Sequence, residues 1–514
     1  MGGQVEAWIL GDARPACPMT GSPAGSAVRE THLSILLFLG ERVFKLHKPL
    51  RFDFADFSTL SSRVEACRRE VDLNRRLAPD VYLGVADVTM EGETLDQVVV
   101  MRRLPAERSL AHLACSGPEA VVVAEVKKVA RALADFHARA ERSAEISACA
   151  SAQGIADQFE KNVLAMAPFV GPVLDRDVHA AVVSGVRRYL AGRASLFSAR
   201  IALGQICDGH GDLQADDIYC LDDGPRILDC LEFDDRLRYG DVAADVAFLA
   251  MDLERLGAEA PATQFVRDYE EAAGALSPRS LLHFYIALRA YVRTKVTCIR
   301  HGQGDPGAAD QAARLLKLAE VHLERARVRL VLVGGVPGSG KSTLATVLGD
   351  ALGATVLRSD ERRRGRSGQK EARPPARTFA RGPYTPLGKQ EVYDDLIETA
   401  RAHLALGESV VLDASWIDES HRRMARRLAT ESIADLTELH CTAPPAVVER
   451  RIALRLRNGD DASEASVEIG RAMARTEAPW PSAADVDTTR PLGVVLDEAL
   501  KLIGVGLDHP EDRS

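Results

Sequence analysis

The chain has 514 residues, of which 46% are hydrophobic and 27% charged, with a formal net charge of −9. One hydrophobic core rarely serves such a length, so two or three domains are expected, and the acidic balance argues against broad nucleic-acid binding. Nine cysteines, odd in number and never in a C-x-x-C pair, together with the lack of a secretory leader pattern or a bilayer-length apolar run, lead to the expectation of reduced thiols and a cytoplasmic protein.

Taken in chain order, residues 1–27 are rich in Gly, Pro, Ala and Ser and are expected to form a loose arm. Two strand-like runs, 34–39 and 43–46, meet at Gly40 and predict a hairpin. A charged stretch with helical spacing follows over 57–78, then a buried strand over 97–101. Helical patterns cover 119–143 and 175–196. Short strands at 218–220 and 226–228 flank the turn Asp222-Asp223-Gly224, and helices resume to about residue 325. From there the pattern changes to short apolar strands at 330–333, 355–357, 409–412 and 436–439, each followed by helical sequence. Such alternation predicts a parallel sheet flanked by helices. The expected organisation is an α/β multidomain chain with an arm at 1–27, one domain at 28–325 and a second at 326–514.

The second domain opens on Gly335-Val336-Pro337-Gly338-Ser339-Gly340-Lys341-Ser342-Thr343, between a predicted strand and a predicted helix. Glycines there let successive backbone N–H groups turn around phosphate oxygens. Lys341 neutralises β/γ charge, and the Ser342 hydroxyl is placed for a magnesium ion. The stretch resembles the small P-loop kinases that include the gluconate, adenylylsulfate and polynucleotide kinases. That resemblance makes Asp360 a candidate base, with helix capping as its alternative role, and makes Asp413 a candidate carboxylate for the Mg²⁺ shell. Arg451 and Arg455, in a cluster with Arg450 and Arg457 before the loop from Asn458 to Asp461, become lid arginines over the transferred phosphoryl group. A basic stretch from Arg362 to Arg381 is expected to be a substrate loop.

The first domain contains His210-Gly211-Asp212-Leu213-Gln214-Ala215-Asp216-Asp217, followed by Asp229. One aspartate to orient an acceptor hydroxyl, a polar ligand five residues on, and a second aspartate beyond a hairpin are the parts that a protein-kinase type of phosphoryl transfer needs. The segment resembles the aminoglycoside phosphotransferase family. The resemblance implies a bilobal, protein-kinase-like α+β domain with Asp212 catalytic and Asp217 and Asp229 as metal ligands. It also implies Lys45 on the α/β-phosphates with Glu70 as its ion-pair partner and Glu65 as the rival, residues 30–34 as the phosphate-covering loop, residues 98–104 as the adenine hinge, and Asp245 as a brace. Two departures stand out: Asp217 replaces an asparagine, and Cys230-Leu231 replaces an aromatic sequence. The reading is an ATP-dependent kinase of a small hydroxylated metabolite with two candidate sites for ATP and Mg²⁺. The alternatives are an N-terminal pseudokinase regulating the second domain, and a polynucleotide or RNA kinase using the basic stretch.

Overall fold

The computed structural model describes residues 27–31, 33–51, 56–275, 277–366, 386–458 and 467–505. The expected arm up to residue 26, most of the basic stretch ending at Arg381, and the lid loop from Gly459 to Asp461 lie outside them. The described chain divides into two compact units, the first made of segments up to 326 and the second of 327 onward together with 188–196 and 278–280. Among the described residues no helix is long and apolar enough to cross a membrane.

The first unit begins with a five-stranded antiparallel sheet formed by β1 (Ala27–Glu30), β2 (Ser34–Leu39), β3 (Arg42–His47), β4 (Tyr82–Met90) and β5 (Glu93–Arg102), in the order β1-β2-β3-β5-β4. One helix, α1 (Leu60–Asn74), crosses between β3 and β4. It starts where Thr59 accepts a hydrogen bond from the Ser62 backbone N–H and Ser62 reciprocates, a capping box that trims the expected start at 57. Cys67 and Val71 on its inner face pack with Val43, Val99 and Met101 of the sheet, and this burial fixes Lys45 on the middle strand beside the helix. Strand β4 escapes the alternation rule because most of it is exposed and its register shifts at Gly84. The expected order of strand, strand, helix, strand is therefore short by β1 and β4.

Helices dominate the rest of this unit. Helix α2 (Glu119–Arg139) and α4 (Glu259–Ala273) present buried apolar faces, whereas every residue of α3 (Val242–Arg255) from Val242 to Leu253 is buried. Helix α5 (Arg279–Gly302) follows. Two small ribbons sit among them: β6 (Ile206–Asp208) with β9 (Tyr239–Asp241), and the expected hairpin of β7 (Ile218–Leu221) with β8 (Gly224–Ile227). A small sheet-rich lobe and a larger helical lobe make this unit bilobal.

The second unit is a P-loop fold. Its five strands, β10 (Arg329–Gly334), β11 (Thr355–Arg358), β12 (Val410–Asp413), β13 (Asp435–Thr442) and β14 (Ala484–Asp487), are all parallel in the order β11-β12-β10-β13-β14. Leu330 and Leu332 of the central strand point into one helical layer, Val331 and Val333 into the other. Burial on both faces is why this strand reads as a continuous apolar run. The edge strand β14 has four residues, two of them aspartates, and carries no strand signature in the sequence.

Candidate active sites

In the first unit Lys45 projects from β3 and is bridged on two sides. Its Nζ donates to Glu70 Oε1 at 2.9 Å and to Asp229 Oδ1 at 2.7 Å. Glu70 is fully buried on α1, and its second carboxylate oxygen lies 3.3 Å from His47 Nε2. Glu65 faces solvent on the same helix. Burial would lower the Lys45 ammonium, but the charges of Asp229 and Glu70 outweigh it and hold the group well above its ordinary value. Asp229 behaves conversely: burial would raise its carboxyl, yet the charge and hydrogen bond of Lys45 keep it below the usual range.

Asp229 follows β8 in a left-handed backbone conformation, with φ of 62°. Three neighbours fix that turn. Its own N–H donates to the Tyr82 hydroxyl at 3.2 Å, the next N–H, of Cys230, donates to Asn74 Oδ1 at 2.8 Å, and His210 Nε2 meets Leu228 O at 3.0 Å. The position of the carboxylate thus depends on β4, α1 and the loop carrying Asp212 at once.

The Asp212 loop is held from α3. Asp245 accepts the backbone N–H groups of His210 at 2.7 Å and Gly211 at 3.0 Å, and its Oδ2 lies 3.2 Å from His137 Nε2. Asp252, two turns further along, accepts the N–H of Ala215 at 2.9 Å. Asp212 itself accepts from Gln214 Nε2 at 2.8 Å and lies 3.9 Å from Arg293 Nη1. Burial pushes its carboxyl up to about 6, Arg293 opposing and Asp229 reinforcing the shift. Asp217 is raised well above the ordinary value by burial and by the charges of Asp229, Asp212 and Asp216.

Lys45, Asp212, Asp217 and Asp229 line one cavity of about 1660 Å³. Residues 29–31 and 33–34 of the β1–β2 turn border it, as do Met101, Arg102 and Leu104 at the end of β5. That turn contains no glycine and is tied by Thr31, whose Oγ1 accepts the Ser34 N–H at 2.9 Å; His32 lies outside the described residues. Tyr82, Asn74, Asp252 and Arg293 are the functional neighbours that the sequence reading does not name. For Asp252 a signal exists, since Asp245 and Asp252 are aspartates seven residues apart in a run that is otherwise apolar from Val242 to Leu253.

In the second unit the phosphate loop joins β10 to α6 (Lys341–Leu352). Gly335, Gly338 and Gly340 have φ of 130°, 84° and 94°, and a Cβ on Gly338 would lie 2.8 Å from Val448 O. A side chain on Gly334 would run into the Trp480 ring. Lys341 starts the helix and is buried; Ser342 is half-buried and Thr343 exposed. Asp413, at the end of the neighbouring strand β12, is buried and accepts from Arg358 Nε at 3.2 Å. Burial raises its carboxyl against the charge of Lys341 and a hydrogen bond from Ser342. Asp360, second residue of α7 (Ser359–Arg366), accepts from Arg363 Nη1 at 2.6 Å, one turn along its own helix.

Arg451 sits on the loop rather than over it. From α8 (Pro445–Asn458) its guanidinium donates to Thr488 Oγ1 at 3.0 Å and Thr488 O at 2.7 Å, and Thr488 Oγ1 donates to Ser339 O at 2.5 Å. Arg455 is half-buried one turn further and Arg450 is exposed. In these positions Arg451 braces the phosphate loop through Thr488, a residue with no signature in the sequence.

The AAA domain family matches residues 330–479. The uncharacterized protein Rv2004c of Mycobacterium tuberculosis is 40% identical over 478 residues, covering 93% of this chain and 95% of its own length. Among solved structures, the sugar kinase of Janibacter sp. is 22% identical and covers 35% of this chain and 96% of its own, with a TM-score of 0.28. The GDP and kanamycin complex of APH(2")-IIia is 14% identical and covers 58% of this chain and 94% of its own, with a TM-score of 0.39. The chain belongs to the family of the mycobacterial protein Rv2004c, which it matches across both domains.

Proposed function

We propose that this family member is an ATP-dependent phosphotransferase acting on a small hydroxylated metabolite, with one nucleotide site in each domain. The observation that carries the reading is the double bridge of Lys45 to Glu70 and Asp229, in the same cavity as Asp212. Four residues from a strand, a helix and two loops converge where a phosphoryl transfer needs a cation, an ion-pair anchor, a metal ligand and a hydroxyl-orienting carboxylate.

The donor set fits magnesium. Asp217 and Asp229 offer hard carboxylate oxygens on one cavity wall, and Asp217 in place of an amide adds charge without removing an oxygen donor. These two residues would hold the ion, which when bound supplies charge neutralisation to the phosphate oxygens. Lys45, kept charged and aimed by Glu70, binds the α/β-phosphate oxygens of ATP. Asp212 orients the acceptor hydroxyl and takes its proton as the hydroxyl oxygen bonds to the γ-phosphorus. The bond from that phosphorus to the bridging oxygen breaks, leaving ADP and a phosphate ester. The rigid loop held by Asp245 and Asp252 keeps Asp212 in place, so catalysis rests on positioning and electrostatics.

In the second domain the loop glycines and Lys341 would bind the β/γ-phosphates of a second ATP, Ser342 and Asp413 would hold its magnesium ion, and Asp360 would address an acceptor. The partner is a small molecule rather than a nucleic acid. A cytoplasmic setting is part of this reading, one in which the cysteine thiols would stay reduced. Incubation of wild-type and Asp212→Ala protein with labelled ATP and a metabolite extract tests the reading: a labelled small molecule made only by the wild type supports it, and identical label patterns refute it.

A further inference from the structure

We propose that the acceptor of the N-terminal site is an anionic metabolite, its carboxylate or phosphate held by Arg289 and Arg293 of α5. This deepens the phosphotransferase reading above and rests on it. The wall of the cavity beside Asp212 is one face of α5, which contributes Tyr285, Arg289, Val292, Arg293 and Val296 at three- and four-residue spacing. Arg293 reaches to 3.9 Å from Asp212 Oδ1 with its side chain 20% exposed to the cavity. Arg289 donates through Nε to Ala244 O at 3.2 Å, with its guanidinium carbon 5.1 Å from the centre of the Phe248 ring. That bond is to a neutral carbonyl and leaves the two terminal nitrogens unused, while the charges of Asp245 and Asp212 act on the guanidinium from nearby.

The carboxylates that border this region are largely engaged elsewhere. Asp241 is held bidentately by Arg200 at 2.8 and 2.7 Å, Asp305 pairs with Arg300 at 2.5 Å, and Asp245 accepts two backbone N–H groups of the Asp212 loop. Asp157 accepts from Gln153 at 2.7 Å. Lys161, Arg289, Arg293 and Lys295 line the cavity with Asp157 and Asp212, the latter committed to the acceptor hydroxyl; Asp216, Asp217, Asp229 and Glu232 line it too, with Asp217 and Asp229 assigned to the metal ion and Asp229 paired with Lys45. Lys295 is itself anchored on Asn162 Oδ1 at 2.7 Å. An ammonium-bearing acceptor would shed its hydration against two guanidinium groups. A carboxylate or phosphate would gain charge-assisted, fork-like hydrogen bonds from them, and its hydroxyl would be delivered to Asp212.

A charge series on one sugar ring tests this. In Lys341→Ala protein saturated with magnesium and a non-hydrolysable ATP analogue, calorimetry compares glucose 6-phosphate, glucuronate, glucose and glucosamine. The two anions are expected to bind about tenfold or more tighter than glucose, with glucosamine weakest, and whichever anion binds tighter identifies phosphate or carboxylate as the preferred group. Arg293→Gln is expected to erase that preference while leaving affinity for the ATP analogue unchanged, which also shows that the variant is folded; Arg293→Lys restores part of it. A flat series, a preference for glucosamine, no binding by any member, or a preference that survives Arg293→Gln overturns the inference. Anion binding that depends on Arg293 in a protein showing no Asp212-dependent transfer would keep the anion site and remove the transferase reading.

Discussion

Asp245 and Asp252 hold the two ends of the Asp212 loop from one helix, Asp245 through the N–H groups of His210 and Gly211 and Asp252 through the N–H of Ala215. Both carboxylates are buried. Asp252→Ala leaves that N–H without its acceptor and Arg255 without its 2.7 Å partner. The expected cost is about 2–3 kcal/mol of stability, read by urea denaturation. Asp252→Asn should recover most of it, since an amide oxygen still accepts; equal losses in the two variants would contradict the loop-holding role.

Glu70 acts through Lys45, so its removal should misplace the ammonium rather than abolish the site. Glu70→Gln is expected to lower kcat on the order of a hundredfold, as small misplacements of binding groups do. Lys45 retains Asp229 as a partner, so the nucleotide still binds. A kcat within about twofold of wild type would show that the ion pair is dispensable.

The pH dependence follows from Asp212, whose carboxyl burial pushes up to about 6. The ionised form takes the hydroxyl proton, so kcat/KM for the N-terminal reaction is expected to be level above that value. Below it the rate falls about tenfold per pH unit. The Arg293 charge opposes the burial effect, so Arg293→Gln must move the inflection upward. A downward move, or none, would contradict the assignment of the titrating group.

Gly338 tests the phosphate loop independently. With φ of 84° and Val448 O only 2.8 Å from where a Cβ would stand, Gly338→Ala must distort the loop. The expected result is a fall from two calorimetric ATP sites to one, with Asp212-dependent transfer retained. Two sites of unchanged affinity would mean that this loop does not bind the nucleotide.

Much of this arrangement is legible in the sequence where the chemistry is local. The glycine positions and Lys341 lie within eight consecutive residues, and the loop bearing Asp212 and Asp217 is separated from Asp229 by one short hairpin. Lys45 can be matched to the following helix because strand and helix are adjacent in sequence, but the choice between Glu70 and Glu65 stays open there and is made by the structure, which buries Glu70 against Lys45 and leaves Glu65 exposed. Long-range partners leave no such trace. Arg293 lies 81 residues from Asp212, and Arg451 braces Ser339 through Thr488, whose neighbours in sequence say nothing of phosphate. The strands missed are short or weakly patterned: β1, β6 and β9 have three or four residues, β4 is exposed over most of its length and bulged at Gly84, and β14 is four residues at a sheet edge.

The most direct measurement is phosphoryl transfer from labelled ATP to an acceptor by Lys341→Ala protein, with and without a second change, Asp212→Ala. The single variant is expected still to form a labelled phosphate ester, and the double variant to form none. Transfer lost already in Lys341→Ala, or persisting in the double variant, would contradict a phosphotransferase site at Lys45, Asp212 and Asp229.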